Sequence, residues 1–164
     1  MKDLLDKLSS YNIFNYLLPG IIFVVLADAT TSYSFVQPDI LLGVFLYYFI
    51  GLVISRIGSL VIEPILKITK FVRFAAYPDF VSALKTDDKL DLLSEANNMY
   101  RSFCSLFFLL ILIKGYELIT ATFPAISEWS VDILIVVLLL LFCFSYRKQT
   151  EYIAKRVKTT TKTR

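Results

Sequence analysis

Four tracts of the chain carry no charged residue: Leu8–Ala27, Ile40–Ser55, Ser102–Ile113 and Ile133–Tyr146. Nothing else in the sequence limits the fold so strongly, because a hydrocarbon core of about 30 Å is crossed by about 20 mostly apolar helical residues. The first tract meets that length alone. The second reaches it through Arg56 to Leu60, the third through Lys114 to Thr122, and the fourth by drawing Glu128 to Asp132 toward the far interface. The prediction is an all-α integral membrane protein with four transmembrane helices. Its segments are an N-terminus over 1–10, spans over 11–33, 40–62, 102–123 and 129–146, a connecting segment over 63–101, and a basic tail over 147–164.

Runs of about 10–14 apolar residues also occur in the cores of soluble helical bundles, so the distribution of charge has to decide. Lys and Arg fall at positions 2 and 7, six times from Lys67 to Arg101 and seven times from Arg147 onward, whereas the connections Asp28–Asp39 and Phe123–Asp132 contain none. That alternation is the positive-inside pattern and predicts both termini and the central segment in the cytoplasm. Trp129 and Tyr33 suit the outer interface; Tyr11, Tyr100 and Tyr146 suit the inner one. The first tract reads as a span rather than a signal peptide, because Lys2 and Lys7 are balanced by Asp3 and Asp6 and the apolar run is longer than a usual h-region.

The usual catalytic templates are not present. The chain has no His, so a Ser or Cys nucleophile lacks its customary base, and no Gly-rich phosphate loop occurs. Two cysteines, Cys104 and Cys143, are too few for a zinc site. The expectation is a non-enzymatic protein without metal or other cofactor.

Packing signals are clearer. Gly51, Ser55 and Ser59 recur every four residues and line one face of the second span with small side chains, which lets a second backbone approach closely. Helix 3 of the same chain and helix 2 of another subunit both fit as the neighbour. In the first span, Pro19 removes a backbone donor beside Gly20, which predicts a kink. Asn12 and Asn15 lie one turn apart near the cytoplasmic interface.

The run "LSSYNIFNYLLPGIIF" and the stretch "SEANNMYRSF" leading into the third span resemble short multi-span transmembrane effector proteins of bacterial antiphage defence loci. The likeness covers about twenty-six residues and the four-span plan. It implies an inner-membrane protein that a cytosolic partner holds quiet or activates, and whose firing damages the membrane barrier. It carries over no catalytic residue.

From Glu63 the second helix is expected to run on past Pro64. Ile65, Ile68, Phe71, Val72 and Ala75 form an apolar stripe among Lys67, Lys70 and Arg73, suited to anionic headgroups. "YPDF" then breaks the chain, and Thr86–Asp88 offers N-cap chemistry for the next helix, giving an inward helical hairpin. Its acids Asp87, Asp88, Asp91 and Glu95 form a cluster on a basic face that would dock a basic cytosolic partner. The tail opposes seven basic residues to Glu151 alone. It suits lipid headgroups better than nucleic acid, because only Tyr146 and Tyr152 could stack on bases.

Lys114, Glu117 and Asp132 interrupt the third and fourth spans. Counted along the helices from Ser102 and Arg147, Lys114 sits roughly 18 Å deep and the two acids about 22 Å. Lys114 can meet Asp132 across the helix pair or Glu117 on its own helix, and such a charge should face protein or a water-filled cavity. A packing ion pair and a place on an ion pathway both remain open. The functional expectation is an oligomeric defence effector that perturbs membrane integrity; the alternatives are a small channel or transporter subunit, or an anchor that recruits a soluble partner.

Overall fold

The structure, a computed structural model, describes residues 12–87 and 89–162. Segment 1–10, Tyr11 and Asp88 lie outside the described residues. In order, the helices are Ile13–Thr30 (α1), Ile40–Ile68 (α2), Tyr77–Ala83 (α3), Lys89–Thr122 (α4), Ala125–Glu128 (α5) and Ser130–Lys162 (α6), and no strand occurs among the described residues. Helices α1, α2, α4 and α6 are each long and apolar enough to cross a membrane. The two last overrun their apolar tracts. α4 starts at Lys89 and passes through Arg101 without a break, and α6 continues past Arg147.

Both prolines in the first two long helices sit behind a widened turn. Residues Ile13–Leu17 and Gly58–Ile62 are π-helical, with Leu18 N–H bonded to the Ile13 carbonyl and Glu63 N–H to the Gly58 carbonyl. Pro19 and Pro64 follow each widened turn at the same offset. A proline ring collides with the carbonyl four residues back, here Asn15 and Leu60, and each of those lies inside the widened turn. The sequence predicted a kink at Pro19–Gly20; the local irregularity beside it is one wide turn, which removes the hydrogen bond that the proline could not make.

α1 and α2 cross as antiparallel neighbours at two glycines. A Cβ on Gly51 would lie 1.7 Å from the Tyr16 carbonyl oxygen, and one on Gly20 would lie 1.8 Å from the Tyr47 carbonyl oxygen. The small-residue face of the second span therefore packs on α1. Helix 3, one of the two neighbours considered from sequence, meets α2 at Gly58, where a Cβ would lie 3.3 Å from Arg101, rather than at Gly51. The stripe then divides: Ser55 is buried, and Ser59 faces α6. The apolar core is built by Phe23, Val24 and Ala27 of α1, Ile54 of α2 and Leu106 of α4. Ser105 Oγ ties α4 to α2 by donating to the Ile54 carbonyl at 2.8 Å.

α6 stands apart. Among the described residues it contributes no buried apolar side chain, and it meets α2 through the Phe142–Phe49 ring stack, 6.1 Å between centroids. Ile135, Leu139 and Phe144 are exposed, as are Phe45 and Ile111 of other helices. An apolar surface of that extent belongs in lipid, so the chain is a membrane protein.

The expected basic amphipathic helix through Ala75 does not form. α2 ends at Ile68 and is closed by Phe71 N–H to the Leu66 carbonyl (3.0 Å) and Lys70 N–H to the Lys67 carbonyl (3.0 Å), with Lys70 at φ 60°. This is the Schellman pattern, in which a left-handed residue follows the helix and frees no carbonyl. "YPDF", expected to break the chain, instead opens α3, with Pro78 in the first turn, where its missing N–H costs nothing.

Candidate functional site

Glu63 is the most enclosed charge in the described structure, 6% exposed, at the end of α2. Its Oε1 receives Lys67 Nζ at 2.8 Å, one turn on along the same helix. Its Oε2 receives Arg101 NH1 of α4 at 2.7 Å. Lys148 Nζ of α6 stands 3.7 Å from Oε1. One carboxylate thus joins three long helices and faces three cations.

The backbone of α2 prepares the place for Lys148. In an ordinary helix the Ser59 carbonyl would accept from Glu63 N–H, but that donor goes to Gly58 in the wide turn. The next candidate, five residues on, is Pro64, which has no N–H. The Ser59 carbonyl is left open to an outside donor, and Lys148 Nζ occupies it at 2.6 Å while also reaching Ser59 Oγ at 2.8 Å. Lys148 is thereby held against α2.

Arg56 lies one turn before Ser59. Its NH2 donates to the Tyr16 hydroxyl of α1 at 3.2 Å, and its Nε is buried without a hydrogen-bond partner, as is Arg101 Nε. Arg56, Ser59, Ser145, Lys148, Gln149 and Tyr152 line a half-open recess between α2 and α6. Beyond it, Tyr152 packs edge-on against Tyr77 of α3, which covers this end of the bundle. Chemically the arrangement is an ionic clasp with surplus positive charge. It lacks any pairing of nucleophile and base.

The sequence-predicted residues fall in four places. Lys114 and Glu117 are brought together at 2.6 Å, and Glu117 also accepts Ser32 N–H at 2.7 Å, just past the end of α1. Asp132 is not part of that group. It lies exposed in the first turn of α6, where a carboxylate favours the positive helix end, and no bond joins it to Lys114. The short α4–α6 connection is fixed instead by Tyr116 and Ser130, whose oxygens are 2.5 Å apart. Lys114 faces outward, 50% exposed, and Glu117 is 21% exposed.

Asp87 Oδ1 caps α4 by accepting Lys89 N–H at 3.0 Å, and Asp91 sits in the first turn. The helix end accounts for both without a partner. Glu95 is half-buried further along α4. Asn15 is 1% exposed, with its Oδ1 unpaired, inside the wide turn of α1. Cys104 and Cys143 are free and exposed, and no metal-holding group of three or more His, Cys, Asp or Glu exists among the described residues.

The Glu63 clasp was not assembled from sequence, although Lys67 at i+4 on one helix was a readable sign. Arg101 and Lys148 flank the ends of the third and fourth apolar tracts, and the common level of those two ends with Glu63 is the signal that points to the clasp. Compared with known proteins, the chain matches no family model, no curated protein and no solved structure.

Proposed function

We propose that the protein is an oligomeric, non-enzymatic effector in a bacterial inner membrane that changes ion permeability when a cytosolic partner signals it. The observation that carries this reading is the outward-facing Lys114–Glu117 pair. Along α4, Glu117 lies about 24 Å from Arg101, so the two charged levels nearly bracket a hydrocarbon core of about 30 Å. Lys114, about 20 Å along α4 from Arg101, falls inside that core, where a charge facing lipid is expensive. A second copy of the chain covering Lys114 and Glu117 removes the cost and collects such pairs around a shared axis, where water and ions can pass. The defence-effector resemblance supplies the context of membrane damage.

In this reading the Glu63 level, segment 63–101 and both termini face the cytoplasm, as the positive-inside pattern requires. Single cysteines at Ser34 and Ser127, in a background without Cys104 and Cys143, will react with an impermeant thiol reagent outside intact cells, and one at Ser82 will not. Labelling at Ser82 from outside would discard this topology.

For permeability, Lys114→Leu removes the cation and leaves Glu117 facing the proposed path. Depolarisation of induced cells, followed with a potential-sensitive dye at matched protein levels, should change by about fivefold or more, equivalent to about 1 kcal/mol on the barrier. The double change Lys114→Leu with Glu117→Leu should return toward the wild-type rate, since replacing both partners of a pair by apolar groups is often neutral. Equal depolarisation in all three proteins sinks the permeability role of this pair.

A further inference from the structure

The charges around Glu63 do not balance. Lys67, Arg101 and Lys148 surround one carboxylate, and Arg56 lies beside Lys148 on the wall of the recess between α2 and α6. Lys67 is 43% exposed and reaches water, so three more enclosed cations, Arg56, Arg101 and Lys148, face one acid and leave an excess of two positive charges around the recess. Uncompensated charge held away from bulk water is costly. The recess carries the groups that would correct this. Arg56 uses NH2 for Tyr16, but its Nε is enclosed and unbonded. Gln149 and Tyr152 add side-chain donors at the rim. A guanidinium, an ammonium and neutral donors around a half-open recess are a set suited to a phosphate group.

We infer that this recess binds the phosphate of an anionic phospholipid. The recess lies at the level where apolar helix surface gives way to charge: on α2 it spans Arg56 to Leu60, with the charge-free run that ends at Ser55 on one side and Lys67 on the other. That is the depth of headgroups and not of solutes free in water. A lipid's acyl chains would run along an exposed apolar stripe of α6 bordering the recess face, formed by Val137, Leu140 and Phe144 at three- and four-residue spacing. A soluble phosphate has no use for that surface. The inference needs the membrane location alone and does not depend on the permeability proposal.

The test uses the full chain purified in an uncharged detergent, with thermal unfolding as the readout. Phosphatidylglycerol should raise the midpoint by roughly 5 °C, and phosphatidylcholine at the same concentration should not. Gln149→Glu sets a negative charge at the exposed rim and should abolish the phosphatidylglycerol shift without preventing folding. Arg56→Gln should abolish it as well. Equal shifts from the two lipids would overturn the inference, because headgroup charge would then be irrelevant. So would a full shift from inorganic phosphate alone, which would make the recess a site for free anions. A phosphatidylglycerol shift retained in Gln149→Glu would overturn it too, by moving the interaction to the basic tail. No shift in the wild type overturns it directly.

Discussion

Glu63→Ala should cost the protein about 3–5 kcal/mol and most of its yield in mild detergent, the typical price of removing one partner from a buried charged group. The loss falls on three helices at once. Arg101 and Lys148 keep their positive charges, 20% and 26% exposed, beside each other and without the carboxylate that both address. Lys67 is 43% exposed and can turn to water, so it contributes little to the cost. Glu63→Gln keeps an acceptor oxygen and the side-chain shape, and should recover part of the loss by accepting from Arg101. Triple replacement by apolar residues at Glu63, Arg101 and Lys148 should be tolerated better than Glu63→Ala. Thermal unfolding in detergent with matched reconstitution yields measures each step. A Glu63→Ala melting midpoint within about 1 °C of the wild type would show that the clasp does not hold the bundle.

Gly51→Ala should separate α1 from α2 and lower stability by about 2 kcal/mol or more, at the upper end for a single added methyl in a packed region. The obstacle is backbone: the new Cβ would meet the Tyr16 carbonyl oxygen at 1.7 Å and its carbon at 2.5 Å, and no rotamer change relieves that. The helices must move apart, which loosens Phe23, Val24 and Ala27 against Ile54. Gly20→Ala meets the Tyr47 carbonyl in the same way, so the double change should cost less than the sum, both sites sharing one crossing. Gly115→Ala is the control. Nothing lies within 4 Å of its added Cβ, and helix propensity alone should make it neutral or stabilising by up to about 1 kcal/mol. Heat stability of the three variants decides the matter, and equal melting of Gly51→Ala and Gly115→Ala would remove close backbone approach from the account of this fold.

What could be read from the chain and what could not follow from the range of each interaction. The four long helices were legible because hydrocarbon imposes one requirement on every residue of a span, and a charge-free run reports it locally. The small face at Gly51 was legible as a face, but its partner was not, since a stripe of small residues says that a backbone comes close and not whose. Tyr16, whose carbonyl fills the place, carries no sequence mark of that role. The end of α2 was missed because its left-handed closing residue is Lys70 rather than glycine, so the usual sign was absent. The grouping of Asp132 with Lys114 rests on similar depth along two helices, about 22 Å against roughly 18 Å. Depth fixes one coordinate, and Glu117 was nearer in the other two, three residues along the same helix. The clasp at Glu63 depends on residues as far apart as 63 and 148, a separation at which periodicity is silent.

The loose seating of α6 bears on the order in which the molecule is made. Synthesis delivers α1, α2 and α4 first, and these three already contain the whole apolar core, from Phe23 to Leu106. By the time Thr122 has left the ribosome, the crossing at Gly20 and Gly51 and the Glu63–Arg101 bond have all their parts. The carbonyl of Ser59 does not; its donor is encoded 89 residues later. The wide turn before Pro64 is therefore a socket that α2 carries unfilled while α4 is made, and it closes only when α6 follows.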